Sequence, residues 1–401
     1  MQVNFPFITM DHSQLFFDHL APTNPFPVGI EIDFAEGSWI YGPKGKWLDL
    51  IAGIAVCSVG HRHPKVVKAI HKQTDRYLHT MVYGEYVQDA NTKLAQKLTS
   101  LLPNSLNCVY LVNSGTEANE AAIKLARRAT GRSQIISFHK SYHGNTLGSL
   151  SISGNETKKA AFRPLIPDVD FITLNRFEEL NQITTKTAAV ILEPVQGDAG
   201  VRTAENDYLV ALRNKCTEVG ALLIFDEIQS GVGRTGTWYY FQQTPVIPDA
   251  FTTAKGFGGG LPIGALVASK ELHALWAHSP MLGHITTFGG NPVCSASALA
   301  VLETIEEEKL MEFIPEKANF IRSQLKHPQI LEIRNRGLMF AVDLPSEEHV
   351  GRLFDYCLDH GVIIYRFLSS PSSFRMAPPL TISIEELAWG MRIILDGLNT
   401  L

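Results

Sequence analysis

The residue best suited to covalent chemistry is Lys255, in TTAKGFGGGLPIGA from Thr252 to Ala265, where four glycines follow it within five residues. One reading is a surface loop with an incidental lysine. The other is an amine partly withdrawn from water near other cationic groups, so that its pKa falls and it becomes a nucleophile. The glycines would then let a bulky ring lie against the backbone. A second segment, LLIFDEIQSGVGRTG from Leu222 to Gly236, delivers Asp226 and Glu227 at the end of an apolar run. Strand ends of this kind are where open α/β sheets bind ligands. Burying an unpaired carboxylate is costly, so Asp226 calls for a metal, an arginine or a protonated heterocyclic nitrogen, unless it merely caps a helix.

The third segment is NSGTEANEAAIKLARR, Asn113 to Arg128, directly after the apolar CVYLV. Ser114 and Glu117 match an S-x-x-E capping box, which predicts a strand, a tight Gly turn and a helix start. Free N–H groups there would hold a phosphate, with Gly115 permitting close approach and the Thr116 hydroxyl adding a donor. An ordinary capped helix is the alternative. The GxGxxG and GxxxxGK[ST] patterns are missing, so a nucleotide is the poorer owner of such a phosphate. The fourth segment, HITTFGGNP (284–292), places the hydroxyls of Thr286 and Thr287 before a Gly-Gly turn and by itself predicts only a loop entering a helix. The histidines of GHRHP (60–64) and FHKSYHG (138–144) lack the spacing of a metal set, because His61 and His63 at i, i+2 do not share a helical face. No metal is expected. The acidic run Glu306 to Glu308 and the basic Lys124, Arg127 and Arg128 read as solvated helix faces.

The elements that must position these residues alternate. Candidate strands CVYLV (108–112), QIISF (134–138), AAVILE (188–193), ALLIFD (221–226) and ALVAS (265–269) are separated by segments of helical period. Their interiors carry almost no charge, as in a mainly parallel sheet covered on both faces. The run 293–310 reads as a long helix bridging two lobes. Beyond it, 330–344 and 361–367 read as strands of a smaller lobe, with helices around 347–360 and 384–399. Near the start, SWIYGPKGKWLDL reads as a hairpin turning between Gly42 and Gly45.

With 401 residues, of which 45% are hydrophobic and 19% charged, the chain has ample material for a core and exceeds one ordinary domain. A net charge of -5 without a dense basic tract leaves no nucleic-acid footprint. Five scattered cysteines, with no CxxC pair, fit a reducing compartment, and no run approaches the roughly 20 residues needed to span a bilayer. A cytoplasmic protein that binds neither membrane nor nucleic acid is expected.

In order along the chain, SWIYGPKGKWLDLIAGIAVCSVGHRHP, NSGTEANEAA, EPVQG, FDEIQSGVGRTG, AKGFGGGLPIGA, TTFGGNP and FRMAPPL resemble the class III aminotransferases of pyridoxal-phosphate fold type I, acetylornithine and ornithine aminotransferases above all. The resemblance implies an α/β fold: a large domain with a mainly parallel seven-stranded sheet between helices, plus a smaller α+β C-terminal domain. Residues 1–60 would be an N-terminal segment packing with the small domain, 61–292 the cofactor domain and 293–401 the small domain.

It also implies roles. Lys255 would form the aldimine with pyridoxal 5'-phosphate and move the substrate proton, and Asp226 would keep the pyridine nitrogen protonated. Ser114, Gly115 and Thr116 would cradle the phosphate, Tyr142 would stack on the ring with His143 beside it, Ile228 would pack behind it, and Gln229 would reach the ring hydroxyl. Thr287 would touch the phosphate of a neighbouring subunit, giving a homodimer with shared active sites. Arg375 would hold the α-carboxylate of glutamate or 2-oxoglutarate, and Glu193 would pair with it when an ω-amine is bound, with Thr286 and Asn145 as further substrate contacts. The implied reaction is ping-pong amino transfer from an ω-amino donor to 2-oxoglutarate; intramolecular amino transfer, decarboxylation or racemisation is the alternative. Two positions depart from the pattern. Acetylornithine and ornithine aminotransferases usually carry an arginine after the stacking aromatic, where this chain has Asn145, and Thr23 stands where ornithine-specific members have a tyrosine. A neutral amide cannot make that charge-assisted pair, so a donor lacking the far carboxylate becomes credible.

Overall fold

The computed structural model describes residues 12–401. Its centre is a seven-stranded sheet in the order Cys108–Val112, Gly264–Ala268, Ala250–Thr253, Leu222–Asp226, Thr187–Leu192, Gln134–Phe138, Val169–Ile172. The expected strands all form, with ends shifted by at most a residue. Two more, Val169–Ile172 and Ala250–Thr253, join them. Ala250–Thr253 is four residues of fully buried AFTT, too short to show a period of its own. Gly264–Ala268 runs antiparallel to both neighbours, and every other described pairing in the sheet is parallel. The strands Thr187–Leu192 and Gly264–Ala268 are buried along their whole length, as a sheet covered on both faces requires.

The helix Gly115–Thr130 packs across this sheet and stops at Gly131, a left-handed cap at φ 68°. Asn291 caps the long helix, accepting from the N–H groups of Val293 and Cys294, with Pro292 pre-set for its first turn. That helix ends at Glu307, three residues before the expected end, because the backbone becomes left-handed at Lys309. Its acidic end is not simply solvated. Glu306 pairs with Lys97, Glu307 with Lys65 and Glu308 with His63, pegging the helix to two others. Likewise Arg127 and Arg128 donate to backbone carbonyls of Ser133, Pro167 and Leu275.

In the C-terminal part, 330–344 is a hairpin, Glu332–Arg336 with Met339–Asp343, inside a four-stranded sheet that also holds Ser373–Met376 and Tyr365–Arg366. The stretch 361–367 divides: Tyr365–Arg366 stays in that sheet, whereas Val362–Ile363 pairs in parallel with Leu48 and Asp49. The N-terminal hairpin, turning between Gly42 and Gly45, thus shares a sheet with the C-terminal region. Among the described residues no helix is long and apolar enough to cross a membrane.

Candidate active site

A cavity of about 470 Å³ opens at the C-terminal end of Leu222–Asp226 and is lined by Ser114, Gly115, Thr116, Tyr142, His143, Asn145, Glu193, Asp226, Ile228, Gln229 and Lys255. Eleven of the residues singled out in the sequence therefore meet in one place, drawn from five separate chain segments. Arg375, Thr286 and Thr287 do not line it. Thr286 Oγ accepts from Gly289 N–H and from the Asn113 amide, and Thr287 is exposed. Thr23 is exposed at the surface.

Asp226 is 4% exposed and has three donors. Its Oδ1 accepts from Ile228 N–H at 3.0 Å. Its Oδ2 lies 2.8 Å from Asn119 Nδ2 and 2.7 Å from His143 Nδ1. Asn119 is locked in turn, donating to His143 O and accepting from the Thr252 hydroxyl. His143 N–H donates to Ser153 Oγ, while the ring's buried Nε2 has no partner among the described residues. Asn119 and Thr252 escaped sequence reasoning. The available signal was a polar side chain among Ala118, Ala121, Ala122 and Leu125 on the helix's buried face, since a buried amide requires partners. The neighbouring acid, Glu227, is structural: fully buried, it accepts from Tyr240 N–H, Phe241 N–H and the Ser230 hydroxyl.

At the helix start, the capping differs in detail from the expected box. Ser114 Oγ accepts from Glu117 N–H, but the Glu117 carboxylate reaches back to Asn113 N–H instead of Ser114. A Cβ on Gly115 would lie 2.7 Å from Ile228 Cδ1, and one on Gly144 (φ 128°) would lie 2.4 Å from Thr116 Oγ1. Both positions require glycine for the turn to close over the cavity. Thr116 Oγ1 sits within hydrogen-bonding distance of Thr146 and Ser149 hydroxyls, which fixes its direction.

Lys255 begins a short 3-10 turn at φ 46°, a left-handed conformation that a side chain adopts only under constraint. Among the described residues it makes no hydrogen bond or ion pair. Burial lowers its ammonium pKa, and the charge of Arg375 pushes the same way against the opposing pull of Asp226 and Glu193. Burial pushes Glu193 up to about 7; its oxygens accept from Tyr142 N–H at 2.9 Å and Gly197 N–H at 3.0 Å. Arg375, on the buried strand Ser373–Met376, has no ion pair in the described structure, and its Nε lacks an acceptor. Its guanidinium lies 5.3 Å from the Phe367 ring centroid and 5.7 Å from that of Tyr365. Among the described residues no hydrogen bond or ion pair joins Glu193 to Arg375. Asn145 donates to the Tyr142 hydroxyl at 3.2 Å.

A buried amine of lowered pKa, a buried carboxyl and a glycine-bearing helix start share one cavity and could hold an aldehyde coenzyme bearing a phosphate. The description "Aminotransferase class-III" fits residues 21–398, and the chain belongs to that family. It is 39% identical over 353 residues to the acetylornithine aminotransferase of Methanosarcina mazei, covering 87% of this chain and 86% of that one. It is 37% identical over 385 residues to the acetylornithine aminotransferase of Methanopyrus kandleri, covering 95% and 97%. A solved Bacillus anthracis aminotransferase superposes with a TM-score of 0.89 at 27% identity, over 97% of both chains. A Virgibacillus transaminase structure gives a TM-score of 0.90 at 24% identity, over 97% of this chain and 98% of that one, and shares the fold. The chain is a transaminase of fold type I that depends on pyridoxal phosphate.

Proposed function

We propose that this enzyme moves an amino group from an ω-amine to 2-oxoglutarate, giving glutamate, by a ping-pong route through one pocket. The carrying observation is a buried arginine without an ion pair among the described residues and an acid whose affinity for protons is raised, both close enough to Lys255 for their charges to act on it. Arg375 presents a planar fork to the α-carboxylate of a keto acid. When an ω-amine enters, Glu193 pairs with Arg375 and hides its charge.

The pocket residues fit the cofactor. The N–H groups around Gly115 and the Thr116 hydroxyl would hold its phosphate, Tyr142 and Ile228 would enclose the ring, and Gln229 would reach the ring hydroxyl. Asp226, held by Asn119 and His143, would face the pyridine nitrogen. Bound, pyridoxal phosphate supplies an electron sink for the pair left when the substrate carbon loses its proton. Lys255 Nζ takes that proton, and burial, by lowering its pKa, increases the share of neutral amine that can accept it.

A homodimer with shared sites completes this reading. Thr287 lies among exposed Met281, Leu282, Ile285 and Phe288, and this segment is tied through Tyr83 N–H to Thr286 O to a second one bearing exposed Leu78, Tyr86 and Val87. Apolar surface of this extent fits burial against a second copy. The five free thiols accord with the cytoplasm. The domain division at 60/61 and 292/293 belongs to the same reading, with the Glu193–Arg375 gate spanning the two larger parts.

A single-turnover screen of amines tests the donor: each true donor bleaches the yellow of the resting enzyme, and adding 2-oxoglutarate restores the colour with one glutamate per site. Bleaching without glutamate would sink the acceptor assignment and favour intramolecular amino transfer, decarboxylation or racemisation.

A further inference from the structure

The hairpin whose Gly197 N–H holds Glu193 also lines a second cavity, of about 590 Å³, between the large sheet's edge and the C-terminal sheet. Five cations surround it: Lys140, Arg202, Arg322, Arg334 and Arg336. Three acids oppose them, and two of these are committed. Arg334 takes Asp343 through both of its terminal nitrogens and also takes Glu332, leaving Glu205 on the wall. Among the described residues Lys140 and Arg336 have no acid partner. Arg322 donates only to the neutral Ile333 O and Asn335 Oδ1, and Arg202 stands 3.9 Å from Glu332. Like charges gathered around a concave space repel one another unless an anion enters.

Backbone conformation marks the same place independently. Lys140 (φ 63°), Asn175 (φ 65°) and Val201 (φ 55°) line the cavity, and all three are non-glycine residues held in the left-handed region. At Lys140 and Val201 this conformation costs free energy and persists because the surroundings enforce it, whereas asparagine adopts it readily; strain of this kind gathers at ligand clamps. At Lys140 the left-handed turn follows the strand Gln134–Phe138, and at Val201 it precedes Arg202.

We propose that this cavity is a binding site for a compact multivalent oxyanion, an oligophosphate or a tricarboxylate, distinct from the active pocket. The anion bridges Lys140 and Arg202 of the large lobe to Arg322 and Arg336 of the small lobe. It thereby clamps the C-terminal sheet against the hairpin that carries Gly197, and so touches the support of Glu193.

Titration calorimetry of tripolyphosphate, and separately of citrate, into the cofactor-loaded enzyme at constant ionic strength tests this. One site per chain is expected, and the tighter of the two anions identifies the source as phosphate or carboxylate. Lys140→Gly, which keeps the left-handed backbone, combined with Arg336→Gln weakens binding at least about tenfold and leaves transamination without the anion unchanged. Arg322→Gln alone weakens it in the same direction, so a poorly folded double variant does not decide the matter. Arg375→Ala retains binding. Absence of heat with both anions, equal affinity in every cavity variant, or loss of binding in Arg375→Ala would each overturn the proposal; none of these bears on the amino-transfer reading.

Discussion

The floor and the rim of the active pocket are built on opposite terms. On the floor, Asp226 has three donors, Asn119 is bonded on both sides, and Thr252 and Ser153 close the network. On the proposed substrate rim, Arg375 has no ion pair among the described residues, Glu193 rests on two backbone N–H groups, and Asn145 donates to a tyrosine hydroxyl. A satisfied buried network holds one geometry, because every alternative leaves a polar group unpaired in low dielectric. A rim with spare hydrogen-bonding capacity is free to receive different partners in turn. On the proposed function, the floor carries the shared chemistry and the rim chooses the substrate.

Several substitutions would break or sharpen that contrast. Lys255→Ala gives the largest loss: proton transfer alone is worth about 10²- to 10⁴-fold. Multiple turnover, followed as glutamate formed, should vanish altogether; turnover near that of the unaltered enzyme would remove this lysine from the mechanism. At the rim, Asn145→Arg should raise kcat/KM about 10- to 100-fold for donors with a second carboxylate and lower it for diamines, since a charge-assisted pair contributes about 1.5–3 kcal/mol. No shift in preference would separate position 145 from donor choice. Asn119→Ala removes one of three donors to Asp226 and should lower kcat and cofactor affinity together by about tenfold. Equal damage to stability with kcat intact would make Asn119 merely structural.

The smallest effect is a pH dependence. Burial lifts Glu193 from 4.5 to about 7. Between those values the folded chain holds a proton that the unfolded chain releases, so stability falls as pH rises through this interval and the full cost is present above it. Buried Glu227, also lifted to about 7, acts in the same direction. Once ionised, Glu193 competes with a keto acid for Arg375, so KM for 2-oxoglutarate should climb a few-fold as pH passes about 7. Glu193→Gln should flatten that climb, and an unchanged profile would exclude Glu193 as the titrating gate.

Local pattern made the strands and the first-contact residues legible. Apolar runs such as ALLIFD and the cap at Ser114 carry their signals within a few neighbours, so Asp226 and Gly115 could be placed at a strand end and a helix start. Asn119 and Thr252 were harder, because their partners lie 107 and 133 residues away along the chain, in Asp226 and Asn119 respectively. The short AFTT strand, too, is recognisable only between its two neighbours.

Composition, order of motifs and residue type by themselves decided the fold class, the transaminase family, and the amine and carboxyl that meet in the pocket. Those are properties of covalent identity and short-range backbone preference. The tertiary structure alone decided that Asp226 is held by Asn119 and His143, that Arg375 is buried without an ion pair among the described residues, and that five cations share a second cavity. Burial and long-range approach set those outcomes, and both depend on parts of the chain that meet only after folding.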